Sequence, residues 1–288
     1  MTVFIVPNLK KPQTKEVCKQ AASILKQANA NVLFSEKDAE QLKLVGYEGI
    51  SHQQAIEQAD AIVTIGGDGT MLRIAQEVQP YRKPLLGINL GRLGFLSTCE
   101  VSEMQQKLNR LAKGDFIQVE RMMLQAVVQE PDKKPKTFLA LNDVVIFKGL
   151  RTQTIGLEVL CDGVRVSRYR GDGVVIAAPT GSTAYSLSAG GPILDAEIQG
   201  ILMTPICAHS LQSPPMVFSA QRQLQICIQT ESEEPVYLSA DGNHPALEIS
   251  PKTSVTLFQA ENKVILIQFS KADQFEAIDK KLIRKITL

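Results

Sequence analysis

The sequence carries almost no excess of charge, with 31 Lys+Arg against 30 Asp+Glu in 288 residues. That balance argues against a nucleic-acid binder, whose basic surplus should show. An anionic ligand must then be met by backbone amides and a few placed cations. No apolar run reaches the roughly 18 residues of a membrane span, so no membrane partner is expected. The opening Met1-Thr2-Val3-Phe4-Ile5-Val6-Pro7 has no charged stretch ahead of its apolar residues, and no signal peptide is expected. Cys18, Cys99, Cys161, Cys207 and Cys227 are scattered and form no CxxC pair. Reduced, buried thiols in a cytoplasmic protein are therefore expected rather than disulfides or zinc. His52, His209 and His244 are not spaced as metal ligands, and no residue is assigned to a metal. Neither GxxxxGK(S/T) nor GxGxxG occurs, which excludes a Walker cradle and a dinucleotide fingerprint. GxSxG is missing too, so Gly181-Ser182-Thr183-Ala184 does not read as a hydrolase nucleophile.

What is present is a 44% apolar chain that supports one large domain or two ordinary ones. The first hundred residues alternate strand-like and helix-like patterns. Residues 3–6, 31–34, 61–65 and 84–89 read as strands. Val17, Ala21, Ile24, Leu25 and Ala28 share one helical face behind Thr14 as N-cap. Ser102 and Gln105 read as a capping box for a helix reaching about Ala112. Residues 37–51 are polar and aperiodic and read as a surface loop. Such alternation means a parallel sheet with helices on its faces and ligands at the carboxyl ends of strands.

After Asp115 short β-rich runs follow in quick succession, at 124–129, 137–147, 154–160, 163–167, 224–229, 236–240, 255–258 and 264–269. Their spacing suggests an antiparallel sandwich, with Cys161-Asp162-Gly163-Val164 as a type I′ hairpin. One helical insertion is expected over 183–189, stopped by Gly190-Gly191-Pro192. The reading gives an α/β domain over 1–115, a β-sandwich over 116–270 and a helical tail over 271–288.

Two stretches carry the chemistry. In Thr64-Ile65-Gly66-Gly67-Asp68-Gly69-Thr70 three glycines bracket one carboxylate where a buried strand gives way to a helix. Glycines let the backbone approach a ligand, and a helix start there, with Thr70 as cap, attracts phosphate. The second is Arg170-Gly171-Asp172-Gly173, continued by Pro179-Thr180-Gly181-Ser182-Thr183-Ala184-Tyr185-Ser186-Leu187-Ser188-Ala189-Gly190-Gly191-Pro192. The first alone is shared by several phosphoryl-transfer families. Together the two resemble the NAD kinases, and the resemblance runs through most of the chain, thinning after about Pro245.

The resemblance implies a Rossmann-like α/β domain followed by a β-sandwich, with the C-terminal tail returning to the first domain. It implies transfer of the γ-phosphoryl of ATP to the 2′-hydroxyl of the adenosine ribose of NAD, giving NADP. Asp68 would be the base acting on that hydroxyl, with Gly67 and Gly69 presenting backbone to the nucleotide and Arg73 or another local cation aiding on phosphate. Asn142 and Asp143 match the family's Asn-Glu pair, Asp standing for Glu; an amide suits an adenine edge and a carboxylate suits ribose hydroxyls. Arg170, Asp172, Thr180, Thr183, Ala184, Tyr185, Ser186, Leu187 and Ser188 align with dinucleotide-binding positions, and Asn243 stands where the family has Gln. Ala178 stands where it has Thr, and the Arg of its Pro-His-Thr-Leu-x-x-Arg-Pro segment is missing after His209. Mg²⁺ would be held mainly through ATP phosphates. A homodimer or homotetramer is expected, since so many strands leave edges to cover. The alternatives are a lipid kinase of the diacylglycerol kinase type and a non-catalytic nucleotide-binding regulator.

Overall fold

The structure, a computed structural model, describes every residue except 45, 48, 92–93, 132, 150–153, 211–212, 230–234, 243–244, 251–252 and 284–288. The chain divides into two compact units, Met1–Glu120 with Val264–Leu288, and Arg121–Lys263.

The first unit runs β1 (Thr2–Pro7), α1 (Thr14–Gln27), β2 (Asn31–Ser35), α2 (Glu36–Leu42), β3 (Gly49–Ile50), α3 (His52–Gln58), β4 (Ala61–Gly66), α4 (Asp68–Val78), β5 (Leu85–Asn89), β6 (Cys99–Glu100), α5 (Met104–Ala112) and β7 (Ile117–Arg121). β1, β4 and β5 are apolar without alternation because they are buried on both faces, as strands inside a parallel sheet must be. β1 pairs in parallel with β2 and β4, and β4 with β5. Val17, Ala21 and Leu25 of α1 and Leu108 and Leu111 of α5 close the core over Val3, Ile5, Val63 and Leu86.

The second unit runs β8 (Leu124–Gln129), β9 (Lys136–Ala140), β10 (Asp143–Lys148), β11 (Ile155–Cys161), β12 (Val164–Gly171), β13 (Gly173–Ala177), α6 (Tyr185–Ser188), β14 (Gly200–Ile206), β15 (Met216–Ser219), β16 (Leu224–Gln229), β17 (Val236–Ala240), β18 (Leu247–Ile249) and β19 (Ser254–Gln259). Two six-stranded sheets form, ordered β15-β14-β13-β10-β17-β18 and β12-β11-β16-β19-β8-β9. In β8, β16 and β17 every second residue is buried, the alternation of a sandwich whose outer faces meet water. Asp162 and Gly163 have φ of 50° and 82°, so β11 and β12 meet in the I′ hairpin that Asp-Gly dictates. An α/β unit and an antiparallel sandwich are the fold class expected.

Several local expectations are corrected. The last strand, β20 (Val264–Gln268), belongs to the first sheet rather than the sandwich: the order is β3-β2-β1-β4-β5-β20-β7, and Leu266 pairs with Leu85. Its five residues are all buried, and that absence of alternation is the mark of an inner parallel strand. The following α7 (Asp273–Ile278) is fastened to the first unit, where Asp273 accepts from the Phe269 amide at 2.9 Å and the Lys281 ammonium lies 3.8 Å from the Phe95 ring centre. Residues 37–51 are not simply loop: Ser35 accepts from the Asp38 amide and starts α2, whose Leu42 is buried. The capping box is formed by Glu100 and Glu103, not Ser102 and Gln105, because a 3₁₀ turn precedes α5. Thr14 is not a cap, since its hydroxyl donates to the Asn8 carbonyl. The helix expected over 183–189 is a 3₁₀ turn, Pro179–Thr183, followed by the single turn α6.

Moving β20 into the first core gives a prediction. Ile267 is 2% exposed among Val63, Leu86 and Leu108. Ile267→Ala should cost about 2–5 kcal/mol in urea unfolding, the range for emptying a packed aliphatic site. A loss below about 1 kcal/mol would place Ile267 outside that core.

Candidate active site

In the first sheet the chain leaves β1 toward β2 on one side and leaves β4 toward β5 on the other. Adjacent parallel strands whose connections part in this way open a crevice at their carboxyl ends. A cavity of about 1890 Å³ lies there, lined by Pro7, Ser35, Gly67 and Asn89 from the ends of β1, β2, β4 and β5. The turn after β4 places Gly67 as the N-cap of α4, and Asp68 becomes its first residue. Thr70 is one turn inside and is not the cap; its hydroxyl accepts from the Asn8 side-chain amide at 3.2 Å.

Asp68 is gripped by the loop after β5. Its carboxylate accepts from the Phe95 amide at 2.8 Å, the Ser97 amide at 3.0 Å and the Ser97 hydroxyl. Gly94 makes this possible, because a Cβ there would stand 1.7 Å from Asp68 Oδ1. A carboxylate has about four lone-pair sites, so these three donors among the described residues leave one for a substrate hydroxyl. Gly67 and Gly69 share the cavity wall with Asp68. Arg73 also lines it, but is paired with Glu77 at 2.8 Å, and Glu77 in turn meets His52 at 2.7 Å. Burial pushes the Glu77 carboxyl up, yet the hydrogen bond to His52 and the Arg73 charge outweigh it and hold the group low. Arg73 is thus partnered within the fold.

The second unit gathers another group at the start of β10. Asp143 pairs with Ala177 across β13, and the Ala178 amide donates to the Asn142 carbonyl at 2.8 Å. The 3₁₀ turn lies so close to this strand that a Cβ on Gly181 would stand 2.0 Å from the same carbonyl. Asp241, in a left-handed turn conformation of φ 51°, accepts from the amides of Leu141, Asn142 and Asp143 at 2.8, 2.7 and 3.2 Å. Asp143 is buried, and burial together with the Asp241 charge pushes its carboxyl up to about 7. Among the described residues, Asn142 Oδ1 and Thr180 Oγ1 are buried without a partner. Such atoms cost free energy until something donates to or accepts from them.

The other expected residues divide. Tyr185 is 45% exposed; burial raises its phenol, and the charges of Asp143 and Asp172 nearby add to the rise. Asp172 pairs with Lys148 at 2.7 Å. Arg170 is exposed on β12 and its Nε donates to Thr154 Oγ1 at 3.4 Å. Thr183 donates to the Thr180 carbonyl, and Ala184 donates to that of Gly181. Ser186 faces the interior, fully buried with its hydroxyl 2.8 Å from that of Thr204, so its side chain serves packing. Leu187 is half-buried and Ser188 exposed. Asn243 lies outside the described residues. Asp241, Ser97 and Lys148 were not foreseen; the only signal for Asp241 was its place in Ser239-Ala240-Asp241-Gly242.

Residues 3–116 match the family model for the ATP-NAD kinase N-terminal domain, and residues 141–269 that for the C-terminal domain. The chain belongs to the NAD kinase family. An NAD kinase of Moorella thermoacetica is 36% identical over 97% of this chain and 88% of its own length. One of Natranaerobius thermophilus is 34% identical over 98% of this chain and 97% of its own. The crystal structure of yeast NADH kinase complexed with NADH superposes with a TM-score of 0.89 at 25% identity, covering all of this chain and 89% of that one. An Archaeoglobus fulgidus NAD kinase, solved with ATP, shares the fold at a TM-score of 0.75 and 24% identity, each chain fully covered. Nothing in these matches favours a lipid kinase or a non-catalytic regulator for this NAD kinase family member.

The Asp143 carboxyl gives a pH prediction. An unfolded Asp loses its proton near 3.9, whereas the folded group holds it to about 7. Between those values the folded chain binds the extra proton, so stability falls as pH rises through the window. Asp143→Asn should flatten that fall by about 2–3 kcal/mol between pH 5 and pH 8 in urea unfolding of the ligand-free protein. An unchanged pH profile would mean that Asp143 is ionised throughout.

Proposed function

We propose that this kinase of NAD carries out the transfer with Asp68 as the base on the 2′-hydroxyl of the adenosine ribose and ATP as γ-phosphoryl donor. Phosphoryl transfer demands little covalent chemistry of the protein; it demands positioning, charge neutralisation and a place for the proton. The observation that carries the reading is the Asp68 carboxylate, fixed at a helix start by three donors with one lone-pair site open. Among the described residues the Thr70 and Met71 amides bond the Gly67 carbonyl, and the Asp68 and Gly69 amides that open α4 remain for an anion in the crevice.

In the second unit the unpartnered Asn142 Oδ1 takes a donor from the adenine edge, and the Thr180 hydroxyl a polar group of the dinucleotide. Asp143, half-protonated near neutrality, serves a ribose hydroxyl as donor or acceptor. Tyr185 offers an exposed ring for stacking, and Asp172, Arg170, Thr183, Ala184, Leu187 and Ser188 surround the ligand in supporting roles. Magnesium enters as part of the ATP substrate. Such an ion is wrapped mostly by phosphate oxygens and water.

The protein works as a homodimer or homotetramer in the cytoplasm. Edge strands β12 and β15 carry the exposed Val164 and Val217, and all five cysteines are free. Sedimentation showing a fully active monomer would remove the oligomer from this account.

Asp68→Asn should lower kcat at least about a hundredfold, the lower end of general-base assistance, with KM for NAD moving far less. Its melting temperature should also drop, since an amide offers Phe95 and Ser97 a single acceptor. Ser97→Ala separates the two effects: it removes one hydrogen bond, keeps the charge, and should keep kcat within about tenfold. Equal losses of kcat in both variants would make Asp68 a structural clamp.

A further inference from the structure

The connection between β1 and α1 is tied to the turn of Asp68. The Asn8 amide donates to the Ile65 carbonyl at 2.8 Å, and its side chain reaches Thr70 on α4. The Thr14 amide donates to the Lys11 carbonyl and its hydroxyl to Asn8, so residues 8–14 form a fixed turn. This turn delivers the Lys11 ammonium to the Gly66 carbonyl at 3.1 Å. The same nitrogen lies 3.3 Å from where a Cβ on Gly67 would stand and 3.7 Å from one on Gly91. The ammonium thus sits against the glycine turn, on the wall of the cavity that also holds Asp68 and Gly69. Among the described residues its one hydrogen bond is to a neutral carbonyl, and no carboxylate pairs with it. Arg73, which also lines the cavity, is paired with Glu77 at 2.8 Å.

We propose that Lys11 is the side chain that grips the polyphosphate of ATP, together with the opening amides of α4. This deepens the functional reading above and rests on it, because it takes the crevice beside Asp68 as the donor-nucleotide site. An ammonium has three donor hydrogens, and one is spent on Gly66, leaving two for phosphate oxygens. Charge-assisted bonds to phosphate are about twice as strong as neutral ones. The Gly66 carbonyl holds the nitrogen in place before the nucleotide arrives, so little side-chain freedom is lost on binding.

The test compares Lys11→Ala, Lys11→Gln, Lys11→Arg and Arg73→Ala with the full-length chain. Lys11→Gln keeps a donor for Gly66 while losing the charge, and so serves if alanine disturbs the turn. Both neutral variants should raise KM for ATP at least about tenfold with KM for NAD within about twofold, while Lys11→Arg recovers part of the loss. Arg73→Ala should move KM for ATP less than either. Calorimetry with inorganic tripolyphosphate, without NAD, should show the same order of weakening. Unchanged KM for ATP in a folded Lys11→Gln enzyme overturns the proposal, as does a larger effect of Arg73→Ala or a rise confined to KM for NAD. The calorimetry also separates this idea from the reading beneath it. A wild type that binds tripolyphosphate through Lys11 but never phosphorylates NAD would sink the functional reading and leave the anion site standing.

Discussion

The Asp68 carboxylate accepts two amides and a hydroxyl from the loop that follows β5, and the first unit is built to let it do so. β4 must end in Gly66 and Gly67 so that α4 begins at Asp68, and β5 must run parallel beside β4 so that its following loop arrives at the same edge. Gly94 is then the one residue type that clears the carboxylate, since any side chain would overlap it. A group that holds the loop by hydrogen bonds cannot drift, and in the proposed role of base it would need no reorganisation during the reaction. The same contacts mean that structure and chemistry share one carboxylate.

The second unit repeats this logic with Asp241, which accepts the three amides that open β10. With their backbone bonds taken by Asp241 and Ala178, Asn142 and Asp143 hold their side chains at a defined place. There, among the described residues, Asn142 Oδ1 and Thr180 Oγ1 have no partner, against the general rule that buried polar atoms find one. Burial, with the neighbouring charge of Asp241, also lifts the Asp143 carboxyl toward neutral pH. Unpartnered polar atoms and a raised carboxyl thus follow from one crowded strand start.

Much of this was legible in the residues. Continuous apolar runs at β1, β4 and β5 against alternating ones at β8 and β16 separate a buried parallel sheet from a sandwich, and the glycine turn advertises its carboxylate. β20 carried the right signal, five apolar or buried positions without alternation, and was misplaced because neighbouring strands in sequence belong to the sandwich. Lys11 was invisible because only the parallel pairing of Pro7 with Ile65 brings the end of β1 beside the turn of β4. Arg73 was legible as a cavity cation, but its pairing with the i+4 neighbour Glu77 was not, since spacing alone does not say which partner a cation takes.

The central claim is that this fold moves one phosphoryl group from ATP to the 2′-hydroxyl of the adenosine ribose of NAD. Phosphorus NMR of a reaction containing the purified chain, Mg²⁺-ATP and NAD reads that step directly, because it reports both the donor consumed and the hydroxyl that receives the phosphate. The account predicts ADP and a 2′-phosphorylated dinucleotide in equal amounts. ATP consumed without such a product, or phosphate appearing on another hydroxyl of NAD, would contradict it.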